Sequence, residues 1–342
     1  MKDYLETCQT ATENLRKENQ PIKLSWENIS YTIRSKHSKK QMEEFGHESK
    51  IYEKVILKNQ SGYVNSGEAM FIMGSSGAGK TTLLNALCDR LTQSGNTKLK
   101  GEVLINDSYP VSQKDFGKYG SYVMQDDVLF PTLSCEEVIT FSAQLRTNLK
   151  GEDLKSKVNE VIEALNLTKS RKTWVGDMII KGMRPGEKKK TSIAIELVTD
   201  PRLLFLDEPT SGLDSFTANR IVKLLVKQAR AGKTVVATIH QPNSSTYALF
   251  DRLLLLTDGH AIYQGVASEA AKYFESINFK IPTFANPADF FLKEFFIPFK
   301  RTEKDIEKLE ALLNGYEAKI SDKITEESKN IKYEEINSNY FK

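Results

Sequence analysis

The sequence predicts an α/β domain with a mostly parallel sheet core, an antiparallel β subdomain and a helical insertion. Three observations carry that prediction. Short apolar runs lie at 69–73 (AMFIM), 203–206 (LLFL) and 235–239 (VVATI). They lack strict alternation, which suits strands buried on both faces. Each run leads into a turn and then a helical pattern, the order that builds a parallel sheet with helical crossovers. The first run ends in a glycine-rich stretch, Gly74 to Thr81, that matches GxxxxGK[ST] in full.

Taken in order, residues 1–21 are polar and are expected as a loose tail. IKLSWENISYTI, 22–33, reads as a strand with β-branched and aromatic residues on alternate positions. Residues 34–54, rich in Lys, Ser, His and Glu, read as a surface loop. Segments 101–106 and 121–124 read as further strands, and 253–264 as a hairpin around Asp258 and Gly259. Between Pro131 and Thr168 the period becomes helical. Val138, Phe141 and Leu145 share one spacing, and Leu154, Val158, Val161 and Leu165 another. This insertion, about 131–200, is expected inside one domain over 22–299. The charged stretch 300–342 sets Ile306, Leu309, Leu313, Tyr316 and Ile320 on one helical face. It reads as an amphipathic helix on a partner or as a solvated linker, and periodicity does not separate the two.

Composition narrows the class. Apolar residues are 39% and charged residues 27%, enough to bury a sizeable core, which excludes a disordered chain. Lys plus Arg is 48 against 45 for Asp plus Glu, so no nucleic-acid partner is expected. No run of 18 apolar residues occurs, so no membrane-spanning helix is expected in these residues. The opening MKDYLETCQT lacks the apolar core of a secretory signal. Three cysteines, Cys8, Cys88 and Cys135, cannot form a disulfide framework, which fits a reducing, cytosolic compartment.

The glycine-rich stretch carries the first chemistry. Gly74, Ser75, Ser76, Gly77, Ala78 and Gly79 can fold into a nest of N–H groups aimed at phosphate oxygens. The helix that starts near Lys80 adds its positive dipole end. Lys80 is expected to reach β- and γ-phosphates and Thr81 to offer a hydroxyl to Mg²⁺, with Thr82 counted among the nucleotide-binding residues. The second chemistry follows LLFL. Asp207 emerges at a strand's carboxyl end, where open α/β sheets bind ligands, and suits a hard cation. Glu208 beside it is placed to orient or deprotonate a water.

With both nucleotide motifs present, the chain resembles the nucleotide-binding domain of an ABC transporter, a P-loop NTPase, over about 23–299. It is most similar to subfamily G, the white and sterol/multidrug half-transporter type. Gln125 in SYVMQDD matches the family's glutamine that senses Mg²⁺ and the γ-phosphate and touches the transmembrane partner. Ser211, Gly212, Leu213 and Asp214 match the D-loop, whose Asp works across a dimer. His240 matches the switch histidine at the γ-phosphate, and NPADFF at 286–291 resembles a subfamily G segment. The adenine-stacking place falls at Ile33, and Tyr31 occupies the position of a usual core aromatic.

One motif departs. The family signature, close to SGGERKRTSI in subfamily G, stands here as RPGEKKKTSI over 184–193. Arg184 replaces the serine and Pro185 the first glycine, while Gly186 and Glu187 keep their places. Proline at a helix start is tolerated but removes a donor. Arg184 either pairs phosphate as a cation or obstructs it. The three lysines that follow read as a solvated helix face.

The resemblance implies an ATP- and Mg²⁺-dependent ATPase that powers export of a lipid, sterol or other hydrophobic compound. Glu208, His240 and Gln125 are then the catalytic group, with Thr81, Gln125 and Asp207 toward the metal. Arg184, Gly186, Glu187 and Asp214 would serve a partner's nucleotide. A second nucleotide domain is implied, in a heterodimer or a slow homodimer. A transmembrane domain absent from this chain, whether in a longer chain or a separate subunit, would hold it at the cytosolic face of a membrane. The alternative from another class is a regulatory subunit that binds ATP with little turnover. A soluble ABC ATPase of translation or repair fits less well, since neither a second cassette nor a long coiled-coil insertion is present.

Overall fold

The computed structural model describes residues 21–36, 51–92, 94–282, 285–298 and 301–333. The N-terminal tail and most of the 34–54 loop lie outside the described residues. In chain order the strands are β1 (Leu24–Lys36), β2 (Ile51–Val64), β3 (Ala69–Gly74), β4 (Thr97–Ile105), β5 (Tyr109–Pro110), β6 (Gly120–Val123), β7 (Leu203–Leu206), β8 (Thr234–Thr238), β9 (Arg252–Thr257) and β10 (His260–Val266). The helices are α1 (Lys80–Leu87), α2 (Gln113–Tyr119), α3 (Cys135–Arg146), α4 (Gly151–Ala164), α5 (Pro185–Leu197), α6 (Ser215–Arg230), α7 (Ser244–Tyr247), α8 (Ala270–Ser276), α9 (Pro287–Glu294), α10 (Glu303–Tyr316) and α11 (Asp322–Asn330).

The apolar runs become the central strands of a six-stranded sheet, ordered β10-β9-β3-β8-β7-β6. Neighbouring pairs from β9 to β6 are parallel, and β10 joins antiparallel at one edge. Every residue of β3 is buried, because the strand is covered twice. Ala69, Phe71 and Met73 enter one core, Met70 and Ile72 the other. Each large apolar side chain removed from water in this way contributes about 1.5–3 kcal/mol. The first core lies under the helical segments α3 to α6 and α8 to α11; the second lies toward α1, α2 and the smaller sheet. That smaller sheet is antiparallel, ordered β2-β1-β4-β5. The α/β class, with its added antiparallel sheet, is therefore as predicted. The turn between β9 and β10 has Asp258 and Gly259 both at positive φ, 47° and 79°. A tight hairpin of the primed kind requires that geometry.

Helix α3 begins at a reciprocal cap. Ser134 accepts from the Glu137 N–H, and the Glu137 carboxylate accepts from the Ser134 N–H at 2.7 Å. Its buried face differs from the predicted stripe. Cys135, Val138, Ile139 and Ala143 face the core, whereas Phe141 and Leu145 are exposed. Leu154, Val158 and Val161 of α4, and Leu165 just after it, are all buried.

The C-terminal segment folds back onto its own domain. α10 starts at Thr302, whose hydroxyl caps the Asp305 N–H, and a π-helical turn, Glu317–Ser321, joins it to α11. Leu309, Leu312, Ile320 and Ile324 are buried, while Ile306 of the predicted face is exposed. Two polar ties secure α11. The Tyr63 hydroxyl donates to Glu327 at 2.7 Å. The wholly buried Lys23 donates to the Ser328 carbonyl and pairs with Asp107 at 2.7 Å. Among the described residues, no helix is long and apolar enough to cross a membrane.

Candidate nucleotide site

β3 delivers the glycine-rich loop to the carboxyl edge of the large sheet, and α1 continues from it. Gly79 sits at φ 102°, a left-handed conformation, and a Cβ there would press on Leu57. Gly74 has no room either, since a Cβ would strike the Leu256 carbonyl of the neighbouring strand. The β9–β10 turn props the loop from outside: the Gly259 N–H donates to the Ala78 carbonyl at 3.2 Å.

Lys80 is buried, with Nζ donating to the carbonyls of Gly74 at 3.0 Å and Ser75 at 3.1 Å. Burial pulls its pKa below the usual lysine value, and Glu208 and Asp207 oppose that pull. The ammonium is thus curled into its own loop. Thr81 Oγ1 donates to Asp207 Oδ1 at 3.0 Å, so two hard oxygen donors stand side by side as a divalent cation prefers.

A residue that the sequence reading passed over organises the acidic pair. Thr238, fully buried at the end of β8, donates its hydroxyl to Asp207 Oδ1 at 2.7 Å. Thr238 Oγ1 in turn accepts the Glu208 N–H, also at 2.7 Å. One hydroxyl therefore orients the Asp207 carboxylate and fixes the backbone of Glu208. That backbone is at φ 43°, a left-handed state that a non-glycine side chain adopts at a cost. The only sequence signal for Thr238 was a hydroxyl within a buried apolar run, which must find a partner. Gln125 Nε2 donates to Glu208 Oε2 at 3.1 Å, so the structure joins Gln125 to Glu208 and not to the Thr81–Asp207 pair.

Lys80, Thr81, Gln125 and Glu208 border one cavity of about 650 Å³. Ser76, Gly77, Gly79, Lys80, Thr81 and Thr82 line it from the glycine-rich loop and α1. Gln125, Glu208 and the exposed His240 line its rim. Asp207 lies behind Thr81, buried. Lys54, Val55 and Ile56 of β2 also border the cavity, and the sequence reading had not singled them out.

The residues of the altered signature stand apart from this cavity. Arg184 is exposed at the start of α5, with Pro185 as its first helical residue. Glu187 accepts the Arg184 N–H at 3.0 Å and the Ser170 hydroxyl. Gly186 packs so closely on α6 that a Cβ would collide with Thr217 Cγ2. Asp214 caps α6, accepting the N–H groups of Phe216 and Thr217. The lysines are not a solvated face. Lys189 is buried, donates to the Gln125 carbonyl at 2.8 Å and the Met124 carbonyl at 3.4 Å, and pairs with Asp127 at 2.7 Å. Lys188 donates to the Gly176 carbonyl at 2.7 Å. The aromatics of NPADFF are packing residues: Phe291 is buried among Phe274 and Phe295.

Residues 57–211 match the model of the ABC transporter family, and residues 240–335 match that of ABC-2 type transporters. The chain carries the P-loop NTPase fold of ABC transporters, and its homologues are members of the G and white group. ABC transporter G family member 26 of Arabidopsis thaliana is 40% identical over 283 residues, 80% of this chain and 40% of that protein. The broad substrate specificity ATP-binding cassette transporter ABCG2 of Bos taurus is 41% identical over 286 residues, 83% of this chain and 42% of that protein. Protein white of Drosophila melanogaster is 43% identical over 243 residues, 70% and 35% respectively. The chain thus spans about 40% of the length of the curated relatives it matches.

The second family match corrects one expectation. A transporter membrane-domain family extends over 240–335, so that domain is not wholly absent, and the placement at the cytosolic face built on its absence falls with it. The sequence reading missed it because hydropathy detects only long apolar runs. Much of the matched stretch is β9, β10 and helices with one buried face.

Proposed function

We propose that the chain is the ATP-binding and ATP-hydrolysing part of an ABC transporter that moves a lipid, sterol or other hydrophobic compound. The observation that carries this reading is one cavity lined by Lys80, Thr81, Glu208 and Gln125, with Asp207 and Thr238 hydrogen-bonded behind them. The loop N–H groups and Lys80, once uncurled, hold the phosphate tail. Thr81 and Asp207 would hold Mg²⁺, which when bound neutralises charge on the phosphates. Glu208 orients the attacking water, His240 meets the γ-phosphate, and Gln125 reports its presence. Catalysis is then mostly positioning and charge stabilisation.

In this reading the ATPase domain occupies 22–299 with its insertion at about 131–200. Residues 300–342 are a helical segment beyond it. A second nucleotide domain would meet this one head to tail and receive Arg184, Gly186, Glu187 and Asp214 at its own nucleotide. Because the groups serving the chain's own half-site are all present and two positions of the signature lent to the partner, Arg184 and Pro185, are altered, the reading favours a heterodimer or a slow homodimer. A non-hydrolysing regulator finds no support among the relatives.

The test is hydrolysis of magnesium ATP by the full chain, alone and with a partner of unaltered signature. Glu208→Gln should abolish turnover while keeping nucleotide, and Lys80→Ala should lose nucleotide. Retention of magnesium ATP by Lys80→Ala at wild-type affinity would remove the reading. Arg184→Ser combined with Pro185→Gly should raise the rate; an unchanged rate would deny the departure a functional role.

A further inference from the structure

One wall of the cavity at the glycine-rich loop has no part in the chemistry described so far. It is formed by Lys54, Val55 and Ile56 of β2 and by Asp258 and Gly259 of the β9–β10 turn. The wall is built against the middle of the loop. A Cβ on Gly79 would meet the Ile56 carbonyl at 3.3 Å, and the Gly259 N–H reaches the Ala78 carbonyl at 3.2 Å. The Lys58 N–H donates to the Gly259 carbonyl at 2.9 Å, which ties the turn to β2. In a nucleoside triphosphate the sugar is the group next to the phosphates. A wall that touches the phosphate loop therefore meets the sugar before the base.

The wall offers little to a base. Val55 is 44% exposed, but no Phe, Tyr or Trp among the described residues lines the cavity. Tyr31 belongs to the second core, and Ile33 packs against that core. What the wall does offer is a carboxylate. The Asp258 side chain is 24% exposed, and both of its cations hold the same oxygen: Lys58 Nζ lies 2.6 Å and Arg301 Nη2 2.7 Å from Oδ2. Among the described residues nothing donates to Oδ1. Two cations against one anion also keep the cluster from repelling the phosphates nearby. A carboxylate fixed in this way, with an oxygen left to accept, suits a hydroxyl donor, and charge-assisted bonds of that kind are the strong ones.

We propose that Asp258 is a specificity-determining residue that accepts hydrogen bonds from the ribose hydroxyls of the bound nucleoside triphosphate. The inference rests on the nucleotide reading and adds a preference for the ribose sugar. Arg301 comes from the stretch that leads into α10, so the C-terminal segment helps to hold the group that reads the sugar.

The experiment is calorimetric titration of the full chain with the magnesium complexes of ATP, 2′,3′-dideoxy-ATP and ITP. ATP should bind at least about tenfold more tightly than the dideoxy analogue, the range of one hydrogen bond to a charged group. ITP, which lacks the adenine amine, should bind within about threefold of ATP. Asp258 sits at φ 47°, so Asp258→Gly removes the side chain without straining the turn. That variant should bind ATP and the dideoxy analogue within about twofold of each other. Asp258→Asn keeps an acceptor oxygen and should show an intermediate preference. A wild type that binds both sugars equally would overturn the proposal. So would a preference that survives in Asp258→Gly, even with both affinities lowered, because the side chain would then only brace the loop. Rejection of ITP that disappears in Asp258→Gly would assign the residue to the base instead. Failure of the wild type to bind ATP at all would remove the nucleotide reading itself, whereas ATP bound without preference for its sugar removes this inference alone.

Discussion

Thr238 shows how much one hydroxyl can organise. It donates to Asp207 and accepts from Glu208, so the two acidic residues share a single reference point. Thr238→Val keeps shape but leaves the Glu208 N–H unanswered inside a buried strand end, a penalty of about 1–3 kcal/mol. We expect thermal stability to fall by that amount and hydrolysis to fall more than nucleotide affinity, measured as separate changes in kcat and KM. Equal loss of both would assign Thr238 a purely structural part. Gly186 makes a second residue-level case. The collision of a Cβ with Thr217 predicts that Gly186→Ala destabilises the α5–α6 contact, by about 1–3 kcal/mol for overpacking. Thr217→Ser removes the colliding methyl and should recover most of the lost melting temperature. A double variant no more stable than Gly186→Ala would refute the contact.

At the level of elements, α5 is tied to the Gln125 loop by Lys189. A buried ammonium is tolerable only when its three protons are met, and here two carbonyls and a carboxylate surround it. The helix that opens with Arg184 and the loop that carries Gln125 therefore share an anchor. Lys189→Met strands Asp127 and frees the loop carbonyls. We expect turnover to drop about tenfold, near 1.4 kcal/mol in barrier, with nucleotide affinity retained. Lys189→Arg should restore part of the rate. Loss of affinity in step with turnover, with no recovery by arginine, would count against a positioning role. The lysine run could not disclose this from sequence, because a helix face is solvated or buried according to what packs against it, and the Gln125 loop lies far upstream. Phe141 and Leu145 illustrate the same point in reverse: both satisfy a helical spacing, yet α3 turns its Cys135, Ile139 and Ala143 side inward.

For the whole molecule, the docked C-terminal segment is the feature with the widest reach. It is pinned through Lys23 and Tyr63, and the Tyr63–Glu327 bond joins residues 264 positions apart. Tyr63→Phe should loosen α11 locally, raising hydrogen exchange over 322–330 while leaving β3 and β8 protected. Lys23→Met should do so more strongly, since it also leaves Asp107 without its ion pair. Exchange unchanged in both variants would show that apolar packing by Leu312, Ile320 and Ile324 holds the segment unaided.

What the sequence determined by itself was local and contiguous. The phosphate loop after a buried strand, the acidic pair after another, and the doubly buried central strands each depend on neighbours within a dozen residues, so spacing alone discloses them. What only the tertiary structure decided depends on residues remote in the chain. Thr238 meets the acidic pair because β8 lies beside β7, Lys189 meets Gln125 because α5 packs against that loop, and Tyr63 meets Glu327 because the C-terminal helices return. No periodicity records such meetings, because hydrogen bonding and burial follow distance in space and not distance along the chain.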